Sequence, residues 1–198
     1  FRHKVCFEGG KIVQINAKLS KDKRIEIAAE EIFSKYGYEK ATLDQIISLA
    51  DVGKGTVYKY FGNKEQLFYK LVSAKNEPFV EALRVAVESE SELKDKLTAY
   101  FKVMVEFYQK NCALWQIIYY EMLNDTHCTV VFDAEDNAQV ISRYSEDTVS
   151  DEVKERFLRY HNLLTSEFEI LYKIVVDGMK EGTLKSGTAR IAGSHLFF

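Results

Sequence analysis

Lys54, Thr56, Tyr58, Lys59 and Tyr60 fall within the seven residues KGTVYKY and offer two ammonium groups, a hydroxyl and two phenols. Such a set binds phosphate oxygens, and its longer members reach the donor and acceptor edges of bases. Gly55 lies between them and adds no bulk. Lys64 follows three residues beyond Phe61, and Thr42 supplies another hydroxyl upstream. This is chemistry of recognition and not of bond making. His3, His127, His161 and His195 are scattered and give no metal-ligand spacing, and His127 beside Cys128 has too few ligands for zinc. No G-x-S-x-G, Walker loop or dinucleotide fingerprint is present. We expect no catalytic residues, no metal and no cofactor.

The recognition residues need rigid elements to aim them. Thr42 and Gln45 have the spacing of a capping box, and Leu43, Ile46, Ile47 and Ala50 repeat at helical spacing behind it. Asp51, Val52 and Gly53 predict a sharp turn. A second helix over Lys54–Phe61 would turn Val57 and Phe61 inward and Thr56, Lys59 and Tyr60 outward. Gly62 ends it, and Asn63 with Gln66 repeats the capping pattern for a third helix. An earlier helix from about Lys21 to Tyr36 buries Ile25, Ala28, Ala29, Ile32, Phe33 and Tyr36 and closes at Gly37, leaving Lys21, Lys23 and Arg24 near any bound phosphate. Two short helices with a tight turn, the second basic and exposed, have the layout of a helix-turn-helix. An ordinary helical hairpin has the same outline.

A longer pattern separates the two. From Ile25 to Leu71 the chain resembles the DNA-binding domain of the tetracycline-repressor (TetR) family of bacterial transcription regulators. The matching residues are Ala28, Phe33, Gly37, Tyr38, Ala41, Thr42, Ile46, Ala50, Val52, Lys54, Gly55, Thr56, Tyr58, Tyr60, Phe61, Lys64, Leu67 and Leu71, with G-T-x-Y-x-Y-F as the most specific core. The family usually has Gly where this chain has Asp51 and Ser where it has Gly53. Both changes suit the backbone, though the second removes a hydroxyl that would meet phosphate. The resemblance implies an all-α protein with an N-terminal three-helix reading head and a C-terminal helical bundle that binds an effector and dimerises. It implies a homodimeric repressor that binds a palindromic operator in double-stranded DNA and is released by a small molecule. Thr42, Lys54, Gly55, Thr56, Tyr58, Lys59, Tyr60 and Lys64 are the expected DNA-binding residues. Of these, Tyr60, Lys64 and Thr42 would meet phosphates, and Lys54, Thr56 and Lys59 would lie nearest base edges. A helical ligand-binding or oligomerising protein with a degenerate reading head is the alternative.

The remaining chain fits that outline. Its 198 residues hold one Pro and are 29% charged and 46% hydrophobic, as in ordinary globular proteins. No apolar run reaches the ~18 residues that span a membrane, and no secretory signal is evident, so a cytoplasmic protein is expected. Cys6, Cys112 and Cys128 read as reduced thiols. The net charge of −3 divides into +5 over residues 1–75 and −8 over 76–198, a basic head on an acidic body.

We divide the chain into an N-terminal extension or arm (1–20), a DNA-binding domain (21–75) and an effector and dimerisation domain (76–198). Gly9-Gly10 between apolar residues is compatible with a hairpin, and Arg2, Lys4, Lys11, Lys18 and Lys21 with a basic arm along DNA, a solvated tail being the alternative. Pro78 is expected to kink or restart the helix that opens at Lys64. Leu93, Leu97, Tyr100, Phe101, Met104 and Tyr108 form one amphipathic stripe, and Leu114, Ile117, Ile118 and Met122 another. Residues 125–150 read as an irregular loop with a short helix. A long helix over Asp151–Lys180, ended by Gly182, precedes a last helix that starts near Thr188 and stops short. Tyr100, Phe101, Phe107, Trp115, Tyr119, Tyr120 and Phe168 are candidates for lining a pocket for a small, largely apolar effector, though aromatics at helical spacing are usually core. Phe157, Leu164, Leu171 and Val175 are candidates for a dimer interface.

Overall fold

The computed structural model describes residues 15–124, 128–132, 138–142 and 149–185. The sequence patterns expected in the N-terminal arm and after Thr188 lie outside these residues. The described chain is helical: α1 (Lys21–Lys40), α2 (Leu43–Ala50), α3 (Lys54–Phe61), α4 (Lys64–Glu88), α5 (Leu93–Ile117) with a π-helical continuation (Ile118–Asn124), and α6 (Asp151–Lys180). One two-stranded hairpin, β1 (Cys128–Phe132) and β2 (Ala138–Ser142), stands between α5 and α6.

The chain forms two compact units. The first is Phe1–Lys75 with Asn111–Glu121, and the second is Asn76–Lys110 with Met122–Phe198. Helices α4 and α5 each run from one unit into the other.

In the first unit, α1 contributes Ile25, Ala28, Ala29, Ile32 and Phe33 to the core, as their helical spacing requires. Tyr36 is the exception; it is 40% exposed, at the end of the helix where the inward stripe has run out. Phe33 meets Phe68 of α4 edge to face at 4.9 Å, and Tyr38 meets the same ring at 5.4 Å. Full burial of each such side chain contributes about 1.5–3 kcal/mol. Gly37 has φ 77° and ψ 174°, so α1 is a helix to Tyr36 followed by a separate short turn.

In the second unit, Phe79, Leu83, Val87, Tyr100 and Ile174 form the core, with Leu93, Leu97, Met104 and Phe107 packed around it. The Phe79 and Phe107 rings stack 3.8 Å apart. Pro78 neither ends nor restarts α4, which continues through it to Glu88. The proline lacks one N–H, but Phe79, Leu83 and Val87 follow immediately and anchor the helix by their packing. Helix α6 has the bounds expected from its periodicity. Ser150 caps it by accepting from Val153 N, and Gly182 with φ 76° follows its end.

Three expectations are corrected. Residues 125–150 include no helix among the described positions; Cys128–Phe132 and Ala138–Ser142 pair antiparallel, with Val130 opposite Val140. The β-branched runs Thr129-Val130-Val131 and Val140-Ile141 favour strands and carried that signal. Phe157 and Leu164, expected at a dimer interface, are 4% and 3% exposed within the single chain, so the chain's own packing occupies them. Leu171 and Val175 are half-buried, Leu171 against the core just described. Cys112 is disulfide-bonded and is not a free thiol.

Candidate nucleic-acid interface

Local chemistry forms α2 and the turn after it. Thr42 Oγ1 accepts from Gln45 N at 3.2 Å while Thr42 N donates to Gln45 Oε1 at 2.9 Å, so both halves of the capping box are present. Asp51 then takes the left-handed conformation, φ 50° and ψ 56°, and its N–H returns to the last turn of α2. Arg24 of α1 donates to the Asp51 carbonyl oxygen and, at 3.1 Å, to its carboxylate. The Arg24 side chain is 12% exposed. Its expected place beside phosphate is therefore corrected: the guanidinium fixes the reversal between α2 and α3.

Helix α3 faces two ways. Val57 and Phe61 are 1% and 4% exposed, and Tyr58 and Tyr60 are 46% and 45% exposed. Lys54, Gly55 and Lys59 are also exposed, and Thr56 is half-buried. Lys54 lies 3.5 Å from Asp44, but both side chains are mostly solvated, and such pairs contribute little. A side chain at position 55 would meet nothing within 4 Å. The fold therefore does not require glycine there, and in the first turn of α3 alanine is the better helix former, by at most the ~0.5–1 kcal/mol it gains in a helix interior.

Two lysines hold helix ends. Lys64 Nζ donates to Tyr38 O at 2.9 Å, Ala41 O at 3.2 Å and Glu39 O at 3.4 Å, and stands 4.3 Å from the centre of the Tyr38 ring. Its three N–H groups thus have three acceptors inside the protein, which corrects the expectation that its ammonium serves phosphate. Lys70 Nζ donates to Tyr60 O at 2.7 Å, at the C-terminal end of α3. Cations placed on the carbonyls of a helix end are stabilising. Lys64→Ala is expected to lower the unfolding free energy by about 1–2 kcal/mol with little change in the m-value, as urea titration would reveal. Wild-type stability in that variant would rule the clip out.

The aromatic candidates for an effector pocket are divided between the two units. Trp115, Tyr119 and Tyr120 belong to the first unit, and Tyr100, Phe101, Phe107 and Phe168 to the second. Trp115 is buried; Tyr119, Tyr120 and Phe101 are 42%, 68% and 46% exposed. Phe101 follows the inward-facing Tyr100 by one residue, about 100° around the helix, and so turns outward. Tyr100 and Phe107 remain with the second core, and Phe168 is half-buried.

Sequence reasoning missed a buried polar cluster in the second unit. Glu167 of α6 is 0% exposed; Tyr108 OH donates to its Oε1 at 2.5 Å, and Tyr100 OH donates to its backbone carbonyl at 3.2 Å. Its Oε2 has no hydrogen-bond partner among the described residues. Burial pushes the carboxyl up to about 7, opposed by the Tyr108 hydrogen bond. Burial and the nearby Glu167 also push the Tyr100 phenol up. Asn76 donates to Leu163 O at 3.1 Å and Ser166 Oγ at 3.2 Å, and its own Oδ1 has no partner among the described residues.

The arrangement of α1 to α3 is that of a helix-turn-helix, and residues 27–71 match the family model for bacterial regulatory proteins of the tetR family. The chain carries the TetR-family DNA-binding domain over these residues. It is a DNA-binding transcription regulator and not an enzyme. An uncharacterised HTH-type transcriptional regulator of Bacillus subtilis strain 168, YhgD, is 27% identical over 84% of this chain and 73% of its own length. The fatty acid metabolism regulator protein of the same organism is 26% identical over 86% of this chain and 74% of its own. In fold, the chain is similar to the TetR-family regulator PfmR of Thermus thermophilus, with a TM-score of 0.62 at 18% identity over 87% and 80% of the two chains. It is similar also to FadR of Bacillus subtilis in complex with stearoyl-CoA, with a TM-score of 0.60 at 21% identity over 83% and 74%. Among the described residues of this chain no helix is long and apolar enough to cross a membrane.

Proposed function

We propose that this regulator is a repressor that binds a palindromic operator as a homodimer, reads it with the outer face of α3, and is released by a small, largely apolar effector. DNA as partner puts its action inside the cell. The observation that carries the reading is α3 itself. Its apolar residues Val57 and Phe61 turn inward, so Lys54, Tyr58, Lys59 and Tyr60 are left to solvent around a glycine that the fold does not need. Glycine where a neighbour must approach the backbone closely is physically reasonable. In this reading residues 21–75 are the reading domain and residues 76–198 the effector and dimerisation domain. Thr42 and Tyr60 meet phosphates, Lys54, Thr56 and Lys59 lie nearest base edges, and α6 contributes to the dimer through its less buried face at Leu171 and Val175. A relative named for fatty acid metabolism and a structural neighbour seen with stearoyl-CoA favour a long acyl chain as the effector's apolar part. Tyr100, Phe107 and Phe168 are the candidates to meet it.

Selection of bound sequences from random DNA tests the reading. The expected product is an inverted repeat whose half-sites lie about one helical turn apart, or a multiple. Failure to enrich any sequence would sink it. On the selected operator, Lys59→Ala is expected to cost about 1–3 kcal/mol of binding and to relax specificity at the position it reads. Gly55→Ala, in the first turn of α3, is expected to raise the unfolding free energy by up to about 0.5–1 kcal/mol while weakening operator binding. Opposite signs in those two measurements would distinguish a functional glycine from a structural one. Stearoyl-CoA, as the first compound to screen, is expected to reduce operator affinity ~5–150-fold. Stabilisation of the protein by it without any change in operator affinity would separate binding from switching.

A further inference from the structure

Glu121 lies in the π-helical segment that continues α5, just after the buried Ile117 and Ile118. Its Oε2 accepts from the backbone N–H of Glu39 at 2.9 Å. Its Oε1 occupies the open side of Gly37, where a Cβ would come within 2.7 Å. Lys64 meanwhile holds the carbonyls of Tyr38, Glu39 and Ala41. The peptide groups on both sides of Glu39 are therefore fixed, the N–H by a carboxylate and the C=O by an ammonium. Ala41 is buried, and Thr42, which caps α2, follows it directly. The short segment from Gly37 to Ala41 thus sets where the helix-turn-helix begins, and a side chain some eighty positions further along the chain holds it in place. An α-helical turn at Ile118–Asn124 would place Glu121 at a different angle around the axis, because π-helical hydrogen bonding changes the register. Hydrogen bonds with an ionised acceptor are shorter and stronger than neutral ones.

We propose that Glu121 is a positioning residue for DNA reading: its hydrogen bond to Glu39 N–H ties the end of α5 to the start of the helix-turn-helix and fixes the reading helix for its operator. This rests on the DNA-reading function proposed above. Helix α5 begins in the second unit and ends in the first, so the latch gives the chain a continuous element that terminates at the reading head.

The test uses the full-length protein, the operator fragment selected by the wild type and an unrelated DNA fragment of equal length. Glu121→Ala is expected to weaken operator binding about tenfold, the loss of one charge-assisted hydrogen bond. Binding to the unrelated fragment and the salt slope should stay as in the wild type, because no phosphate contact has been removed. Glu121→Gln keeps an oxygen that accepts from Glu39 N–H and is expected to restore operator binding to within about threefold. Amide exchange at Glu39 in the DNA-free protein should quicken in Glu121→Ala and stay slow in Glu121→Gln. Operator binding by Glu121→Ala at the wild-type level, or a Gln variant as weak as the Ala variant, would overturn the proposal. A wild type that enriches no sequence would overturn the DNA-reading function itself, and that failure is visible before any variant is made.

Discussion

Replacing Glu167 by Gln is expected to make the protein progressively more stable, relative to wild type, as pH rises from about 4.5 to about 8. The Glu167 carboxyl is pushed from an ordinary value of 4.5 to about 7, first by burial and against the Tyr108 hydrogen bond. An acid whose folded value lies above its unfolded value binds more protons in the folded state between those two limits. Stability from this group is then fully present below pH ~4.5, declines as pH rises towards 7, and is level above it. The size of the decline is about 3 kcal/mol, since one unit is worth about 1.4 kcal/mol. Gln cannot ionise, so its difference from wild type follows the curve of Glu167 alone, with the other carboxylates cancelling. Leaving an amide N–H without a partner adds a constant penalty, so the trend with pH carries the answer and the offset does not. Urea titrations of both proteins at half-unit steps would measure it. A difference that does not vary with pH would show that the Glu167 carboxyl titrates alike in the folded and unfolded states, so that burial does not raise it.

The reading head was legible in the sequence because its instructions are local. Thr42 and Gln45 are three residues apart, Asp51 tolerates its left-handed angle by its own chemistry, and Val57 and Phe61 are one helical turn apart. The bounds of α6 were legible for the same reason, through its periodicity and Gly182. What was not legible depends on residues distant in sequence. Arg24 and Asp51 are 27 apart, Lys64 and Tyr38 are 26 apart, and Glu39 and Glu121 are 82 apart. Each of these side chains looks like a solvated surface charge until the fold brings it to a backbone group. Glu167 is the sharpest case: a carboxylate in an amphipathic helix reads as an outward residue, yet it faces Tyr108 from inside the second unit. Phe157 and Leu164 show the reverse limit. Periodicity identifies an apolar face but does not say whether the same chain or a second copy covers it.

Gly37→Ala is expected to destabilise the protein by about 2–3 kcal/mol, and the sign of the effect is itself the test. If α1 were one unbroken helix from Lys21 to Lys40, this substitution would be stabilising by about 0.5–1 kcal/mol, because alanine is the better helix former. The observed φ of 77° with ψ 174° lies in a region that is essentially reserved for glycine, where another residue costs about 1–3 kcal/mol. A second contribution comes from Glu121, whose Oε1 stands 2.7 Å from where the new Cβ would be. That oxygen belongs to a side chain that can move, but moving it withdraws the acceptor from Glu39 N–H. The two contributions separate in a double-mutant cycle with Glu121→Ala. With Glu121 truncated the clash is gone, and Gly37→Ala is expected to be milder by about 1 kcal/mol, leaving the backbone strain. Urea unfolding of the wild type, both single variants and the double variant supplies the four values. Additive effects would mean that the carboxylate gives way freely and that the two positions are not coupled. A stabilising Gly37→Ala would mean that the helix runs straight through, and the latch at Glu39 would lose the backbone break it depends on.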